Sequence, residues 1–121
     1  MAVAAPNEFH DDGQKTLKIA TKFTNIAANY YASLGREIDI IKLNGSIEIA
    51  PILKLSDVIV DIVETGATLK ENNLVVLQKL QPISARLIAN KSAYKFNGEI
   101  IKRITEKLSE QVEINCNDSN N

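Results

Sequence analysis

Tryptophan is absent from this chain, and cysteine, histidine and methionine occur once each. Each shortage closes a class of function. A single cysteine, Cys116, cannot form an internal disulfide, so this is no disulfide scaffold; a lone thiol suits a reducing, cytoplasmic setting. The only histidine, His10, stands beside Asp11 and Asp12 and suggests a metal site at first sight. One histidine in a polar loop does not supply a ligand set, and no metal ligand is assigned. No apolar run reaches the roughly 20 residues that span a bilayer, and no charged-then-apolar leader opens the chain, so no membrane role is expected. Charge of neither sign dominates: 14 Lys and Arg against 15 Asp and Glu give a net charge of −1. That balance argues against general nucleic-acid binding, which needs a basic face. It also means that a polyanionic ligand has to be drawn by local donors rather than by the overall field. With 121 residues, 45% of them hydrophobic, there is room for one modest core.

What is present is concentrated in residues 57–69, Asp-Val-Ile-Val-Asp-Ile-Val-Glu-Thr-Gly-Ala-Thr-Leu. Residues 58–63 form an apolar, β-branched run broken only by Asp61, the pattern of a strand covered on both faces. Glu64 ends it and Thr65-Gly66-Ala67-Thr68 turns into a helix. Amides in such a turn, the dipole of the following helix and the threonine hydroxyls make a cradle for phosphate. The carboxylates of Asp61 and Glu64 do not help bind phosphate. They suit sugar hydroxyls or a developing positive charge. Cradle and acids together point to a ribose 5-phosphate. The plain alternatives are a strand-to-helix turn that uses Gly66 for backbone reasons and a satisfied strand-end carboxylate at Asp61.

Along the chain, residues 2–5 read as a short strand and 6–15 as a loop. Residues 17–23 form a strand and its exit. Thr24 caps a helix to residue 34 with Ile26, Tyr30 and Leu34 on one face, and Gly35 ends it. A strand covers 38–43. Asn44-Gly45-Ser46 is a turn, with Ser46 a cap for a short helix that Pro51 limits. After the acidic turn, a brief helix over 68–71 is broken by Asn72-Asn73. Residues 74–80 and 85–90 are strand-like, and a last helix spans 97–112 with Ile100, Ile104, Leu108 and Val112 at spacing four. That stripe needs a partner, so the isolated chain is expected to self-associate. Alternating strands and helices imply an α/β domain with a largely parallel sheet. Tyr30 and Tyr31 are read as packing residues.

The segment from Glu48 to Leu69 resembles the signature of the ATP phosphoribosyltransferase family. Ile19-Ala-Thr-Lys-Phe23, Asn25-Ile-Ala27, Ile40-Ile-Lys-Leu-Asn-Gly-Ser46 and Ser84-Ala-Arg-Leu-Ile-Ala-Asn90 are similar to the same family in the same order. The resemblance covers residues 1–112. It implies a periplasmic-binding-protein-like fold of type II: a lobe of largely parallel sheet flanked by helices, plus a C-terminal strand and helix belonging to the other lobe. Residues 1–16 are expected to be the end of a first-lobe strand and a linker. The second lobe with the phosphoribosyl pyrophosphate loop takes 17–83, the return toward the first lobe 84–114, and a disordered tail 115–121. Most of the first lobe is expected to be missing, as from a truncated, split or mis-started gene.

The implied chemistry is the first step of histidine biosynthesis. Phosphoribosyl passes from phosphoribosyl pyrophosphate to ATP, pyrophosphate leaves, and Mg accompanies the reaction. By position, Asp61 and Glu64 are the catalytic candidates. Glu64, Thr65, Gly66, Ala67 and Thr68, with Asn44, Gly45, Ser46 and Lys22, are the substrate-binding candidates; Lys42 has weaker support. The implied partners are further copies of the chain and, as in short forms, a regulatory subunit resembling a histidyl-tRNA synthetase. Two positions depart from the family: Lys54 stands where glycine is usual and Thr24 where proline is common. If position 54 needs a positive φ, lysine costs about 1 kcal/mol or more there. The alternatives are a non-catalytic phosphoribosyl- or nucleotide-binding fragment and an inactive remnant.

Overall fold

The computed structural model describes residues 1–118, with side chains to residue 114. The chain divides into two compact units, Met1–Ile83 and the remainder from Ser84. The first unit is built on one sheet from β1 (Ala2–Pro6), β2 (Leu17–Thr21), β3 (Ile38–Lys42), β4 (Val58–Asp61) and β5 (Leu74–Lys79). The strand order is β3-β2-β4-β1-β5. β2 pairs in parallel with β3 and with β4. β1 runs antiparallel to both of its neighbours, β4 and β5. Four strands therefore point one way and β1 alone points back, which is the layout of a type II lobe. Residues 1–6, read from the sequence as the end of a first-lobe strand, lie inside this sheet.

Period-two alternation explains why these segments are strands. Val58 and Val60 face one side and join Val3, Ala5, Leu17 and Ile19, while Ile59 faces the other with Ala4 and Ala20. Helix α1 (Thr24–Ser33) covers the first face through Ala27 and Tyr31. Helix α2 (Ile49–Ile52), with Ile47 before it, and α3 (Ala67–Glu71), through Leu69, cover the second. Burial on both faces is what the β-branched run of β4 requires.

The helix ends follow the backbone rules closely. At the end of α1, Gly35 takes φ 63°; its amide donates to Ala32 O and that of Arg36 to Tyr31 O. This is the paired bonding of a Schellman motif. The end of α2 repeats it with the wrong residue: Lys54 takes φ 55°, its amide donates to Pro51 O and that of Leu55 to Ala50 O. The glycine-favouring position anticipated for Lys54 is therefore real.

Several expectations need correction. The buried stripe of α1 is Ala27 and Tyr31; Ile26 and Tyr30 flank it, and Leu34 is exposed because it sits past the last turn as the C-cap. Small Ala27 lets the helix approach the sheet. Tyr30 and Tyr31 pack edge to face, 5.0 Å between centroids. Thr24 is the first helical residue, not the cap, which is Phe23 and makes no side-chain bond. Ser46 caps nothing: it adopts φ 50° and α2 begins after Glu48. β4 stops at Asp61 rather than reaching Val63.

In the second unit, residues 85–90 form no strand, and among the described residues no ladder partner meets them. Helix α4 (Lys91–Asp118) starts earlier than expected and is interrupted at Asn97, whose φ is −124°. Residues 115–118, expected to be disordered, continue this helix; the rest of that expected tail, 119–121, lies outside the described residues. Ile100, Ile104, Leu108 and Val112 are all exposed.

Candidate functional site

β2, β3 and β4 are parallel and end in register at one edge of the sheet, Thr21 lying opposite Lys42 and Val60. The chain passes from β2 to β3 on one side and to β4 on the other, so strand progression reverses beside β2. Ligands of open α/β sheets bind outside the carboxyl ends of strands at such a reversal. A pocket of about 310 Å³ lies at the end of β4.

Its wall is the acidic loop. Asp61, Glu64, Thr65, Gly66, Ala67 and Thr68 line it, with Ile59 and Leu69 contributing apolar surface. Gly66 holds the turn with φ 77°. A Cβ there would meet only Val63 Cγ1 at 4.0 Å, so dihedral freedom rather than space is why glycine belongs at this position. The Ala67 amide donates to Thr65 Oγ1 at 3.3 Å. Among the described residues, the amides of Glu64, Thr65, Gly66 and Thr68 donate to no protein acceptor. Successive free amides of this kind form an anion-binding concavity. α3 has only five residues, so little of the expected helix-dipole contribution is available. The donors this loop offers are its free amides and the Thr65 and Thr68 hydroxyls.

Asp61 Oδ1 accepts from the amide of Ile62 at 2.8 Å. That bond folds the carboxylate over the start of the loop and leaves Oδ2 without a protein donor among the described residues. Lys22 follows β2, and Asn44, Gly45 and Ser46 follow β3. These four share the edge and are exposed, but they do not line the pocket. Lys42 is the last residue of β3 and is also exposed.

Sequence reasoning missed two contributors. Glu48, half-buried before α2, lines the pocket and adds a third carboxylate. The sign available was a charged residue within the turn of an otherwise apolar Ile47–Ile52 stretch. Lys79, with Met1, Ala2, Val76 and residues 80–83, lines a neighbouring pocket of about 450 Å³ that also uses Val63 and Glu64. The antiparallel β1 brings its start to this edge, Ala2 lying opposite both Asp61 and Lys79.

Other singled-out residues are structural. Asp57 sits at the far end of β4, where its Oδ2 accepts from the Lys18 amide at 2.9 Å and its own amide donates to Lys18 O. Asp11 and Asp12 accept from the amides of Gly13 and Gln14 in consecutive turns. The amides of Gln14 and Lys15, both donating to Asp12 Oδ1, lower the pKa of that carboxyl from its ordinary value. Arg36 binds Asp11 and, at 2.7 Å, Gly13 O, which pins this loop to the end of α1. Among the described residues, no group of three or more His, Cys, Asp or Glu side chains is placed to hold a metal ion. No helix among them is long and apolar enough to cross a membrane.

Comparison with known proteins gives the same direction throughout. Residues 1–110 match the HisG family, described as ATP phosphoribosyltransferase. The chain is 54% identical over 111 residues to an ATP phosphoribosyltransferase of Brachyspira hyodysenteriae, covering 91% of this chain and 54% of the relative. Identity to the enzyme of Thermoanaerobacter pseudethanolicus is 52% over 113 residues, 93% of this chain and 53% of the relative. Among solved structures, the ATP phosphoribosyl transferase (HisG:HisZ) complex from Thermotoga maritima matches with a TM-score of 0.69 and 43% identity, covering 91% of this chain and 54% of that one. The chain thus spans about half the length of the relatives it matches. Shared identity along the whole of this span, together with a type II sheet that carries the acidic Thr-Gly-Ala-Thr loop at its carboxyl edge, establishes that the chain belongs to the ATP phosphoribosyltransferase family.

Proposed function

We propose that this chain supplies the phosphoribosyl-binding part of an ATP phosphoribosyltransferase. The reaction joins phosphoribosyl from phosphoribosyl pyrophosphate to ATP and releases phosphoribosyl-ATP and pyrophosphate, the first step of histidine biosynthesis. One observation carries the reading: free loop amides and two threonine hydroxyls share a pocket with Asp61 and Glu64. Donors and carboxylates in one cavity fit a phosphate and a sugar held side by side. In this reading the backbone of residues 64–68, with the Thr65 and Thr68 hydroxyls, holds the 5-phosphate. Asp61 and Glu64 address the ribose hydroxyls and stabilise positive charge at the sugar carbon as the bond to pyrophosphate lengthens. Holding the phosphate aligns that carbon for attack. Asn44, Gly45, Ser46 and Lys22 close on the ligand from the neighbouring strand ends.

Among the described residues magnesium has no cage of ligand side chains. It enters with the pyrophosphate group, whose oxygens suit a small hard cation. The triphosphate and pyrophosphate need more cationic donors than the pocket offers, since Glu48, Asp61 and Glu64 line it with no lysine or arginine. Those donors belong to the part of the relatives' length that this chain does not match. The same acidic lining favours a second reading, in which the chain binds a phosphoribosyl group or AMP without turning it over. The HisG:HisZ composition of the Thermotoga maritima complex supports a regulatory partner of that type, resembling a histidyl-tRNA synthetase, and further copies of the chain complete the assembly.

Thermal melts with phosphoribosyl pyrophosphate and Mg test the proposal. A ligand that binds only the folded state stabilises it by about 2.7 kcal/mol at a hundred times its dissociation constant. We expect a saturable rise in Tm that is lost in Glu64→Ala and Thr68→Ala. A cooperative melt that phosphoribosyl pyrophosphate does not move would refute it.

A further inference from the structure

The three strand ends that carry the proposed ligand contacts meet at one residue, two of them at its side chain and the third at its carbonyl. Thr21 is the last residue of β2 and is fully buried. Its hydroxyl donates to Val60 O at 2.6 Å and accepts from the amide of Phe23 at 2.9 Å. Its carbonyl accepts from the amide of Leu43 at 3.1 Å. Each partner stands next to a residue of the proposed site: Val60 precedes Asp61, Phe23 follows Lys22, and Leu43 precedes Asn44. A threonine with its hydroxyl used twice, among valines and isoleucines, is not explained by burial, because valine would fill the same space without a polar group to satisfy.

We propose that Thr21 is a positioning residue for the phosphoribosyl site. This rests on the function proposed above. Its hydroxyl fixes the exit of β4 relative to that of β2, so that the Asp61 carboxylate and the segment after Lys22 address one ligand. Asp61 stays paired with Ala2 of β1 on the other side, but the register between β2 and β4 ends at Thr21 and Val60; the hydroxyl is the last tie between these two exits before the loops begin. Loss of the hydroxyl frees the Val60 carbonyl and the Phe23 amide together, and both exits gain freedom at the place where the ligand needs them fixed. Misplacing binding groups by a fraction of an ångström is enough to lose most of their effect.

The test compares the unmodified chain with Thr21→Val and Thr21→Ser. Binding of phosphoribosyl pyrophosphate with Mg is measured by calorimetry, and amide hydrogen exchange is measured without ligand. Ile19→Val, a core change away from the edge, serves as a control for lost stability alone. We expect Thr21→Val to bind at least tenfold more weakly while still folded. Thr21→Ser should return to within threefold of the unmodified chain, and Ile19→Val should bind normally despite a lower Tm. Exchange at Phe23 and at Ile62, whose amides are bonded at these two exits, should quicken at least tenfold in Thr21→Val, with β5 unchanged. Unaltered affinity in Thr21→Val, or an equal loss in Ile19→Val, overturns the proposal. If the unmodified chain itself fails to bind, the functional reading falls, and exchange alone decides whether Thr21 fixes the two exits: unchanged rates overturn that as well.

Discussion

Lys54 pays a conformational penalty at a backbone position that favours glycine. An L-residue in the left-handed region costs roughly 1–2 kcal/mol, and glycine loses about 0.4–1 kcal/mol more entropy on folding. Lys54→Gly should therefore raise stability by somewhat under 1 kcal/mol, seen in urea denaturation as a higher midpoint with an unchanged slope. Tyr31 makes a second prediction at this scale. Burial, aided by Tyr30 and Asp11, pushes its phenol from 10.0 up to about 12. Between those values the folded chain keeps a proton that the unfolded chain has released, so stability falls as pH rises through that window. Ultraviolet titration should show one tyrosine ionising late, and Tyr31→Phe should flatten the alkaline loss. The Lys54 strain was anticipated only through the family resemblance, as a cost that holds if position 54 needs a positive φ, and its φ of 55° meets that condition. Thr21 was not, because it reads as one more residue of the strand over 17–23, and nothing in the sequence says that its hydroxyl reaches Val60 O, 39 residues away.

At the scale of elements, β3, β4 and β5 could be read because β-branched content lies close to Gly, Asn or Asp, whereas β2, flanked by Thr16 and Lys22, showed only through its apolar residues. The acidic loop was legible for the same reason, and its residues 61 and 64–68 gather in one pocket. Residues 85–90 carry a similar apolar pattern, yet a strand exists only where a ladder partner accepts it, and composition cannot report the partner. The turn at residues 44–46 misled in a finer way: Ser46 has the chemistry of a cap, but its left-handed backbone turns the chain before α2 can begin. α4 presents Ile100, Ile104, Leu108 and Val112 to solvent. Replacing Ile104 and Leu108 together by glutamate should change stability by only about 0.5 kcal/mol or less per site, since neither is buried. The same change should remove self-association in analytical ultracentrifugation. A species distribution unchanged by it would place the association elsewhere.

For the molecule as a whole, near-neutral charge and exposed apolar surface act together. A net charge of −1 gives little repulsion between copies. Association through an apolar stripe is insensitive to screening, so light scattering from concentrated solutions should not fall when salt is raised to about 0.5 M, where the Debye length drops below about 5 Å. A loss of scattering with salt would point to ion pairs instead. Ligand capture should share this insensitivity at long range, because no overall positive field steers a polyanion toward the pocket.

The reversed strand β1 has a consequence for how the chain comes to its structure. β2, β3 and β4 are joined by crossovers of moderate length and can assemble from neighbouring sequence. β1 precedes them all, yet its two partners are residues 59–61 and 74–79. β1 thus cannot complete its pairing, and stays apolar without both ladders, until residues as far along the chain as Lys79 are available. Closing such a long loop slows folding. Refolding should therefore show a three-stranded intermediate with an open β4 edge. Destabilising β1 by Val3→Ala should slow that final step without altering the appearance of the three-stranded intermediate.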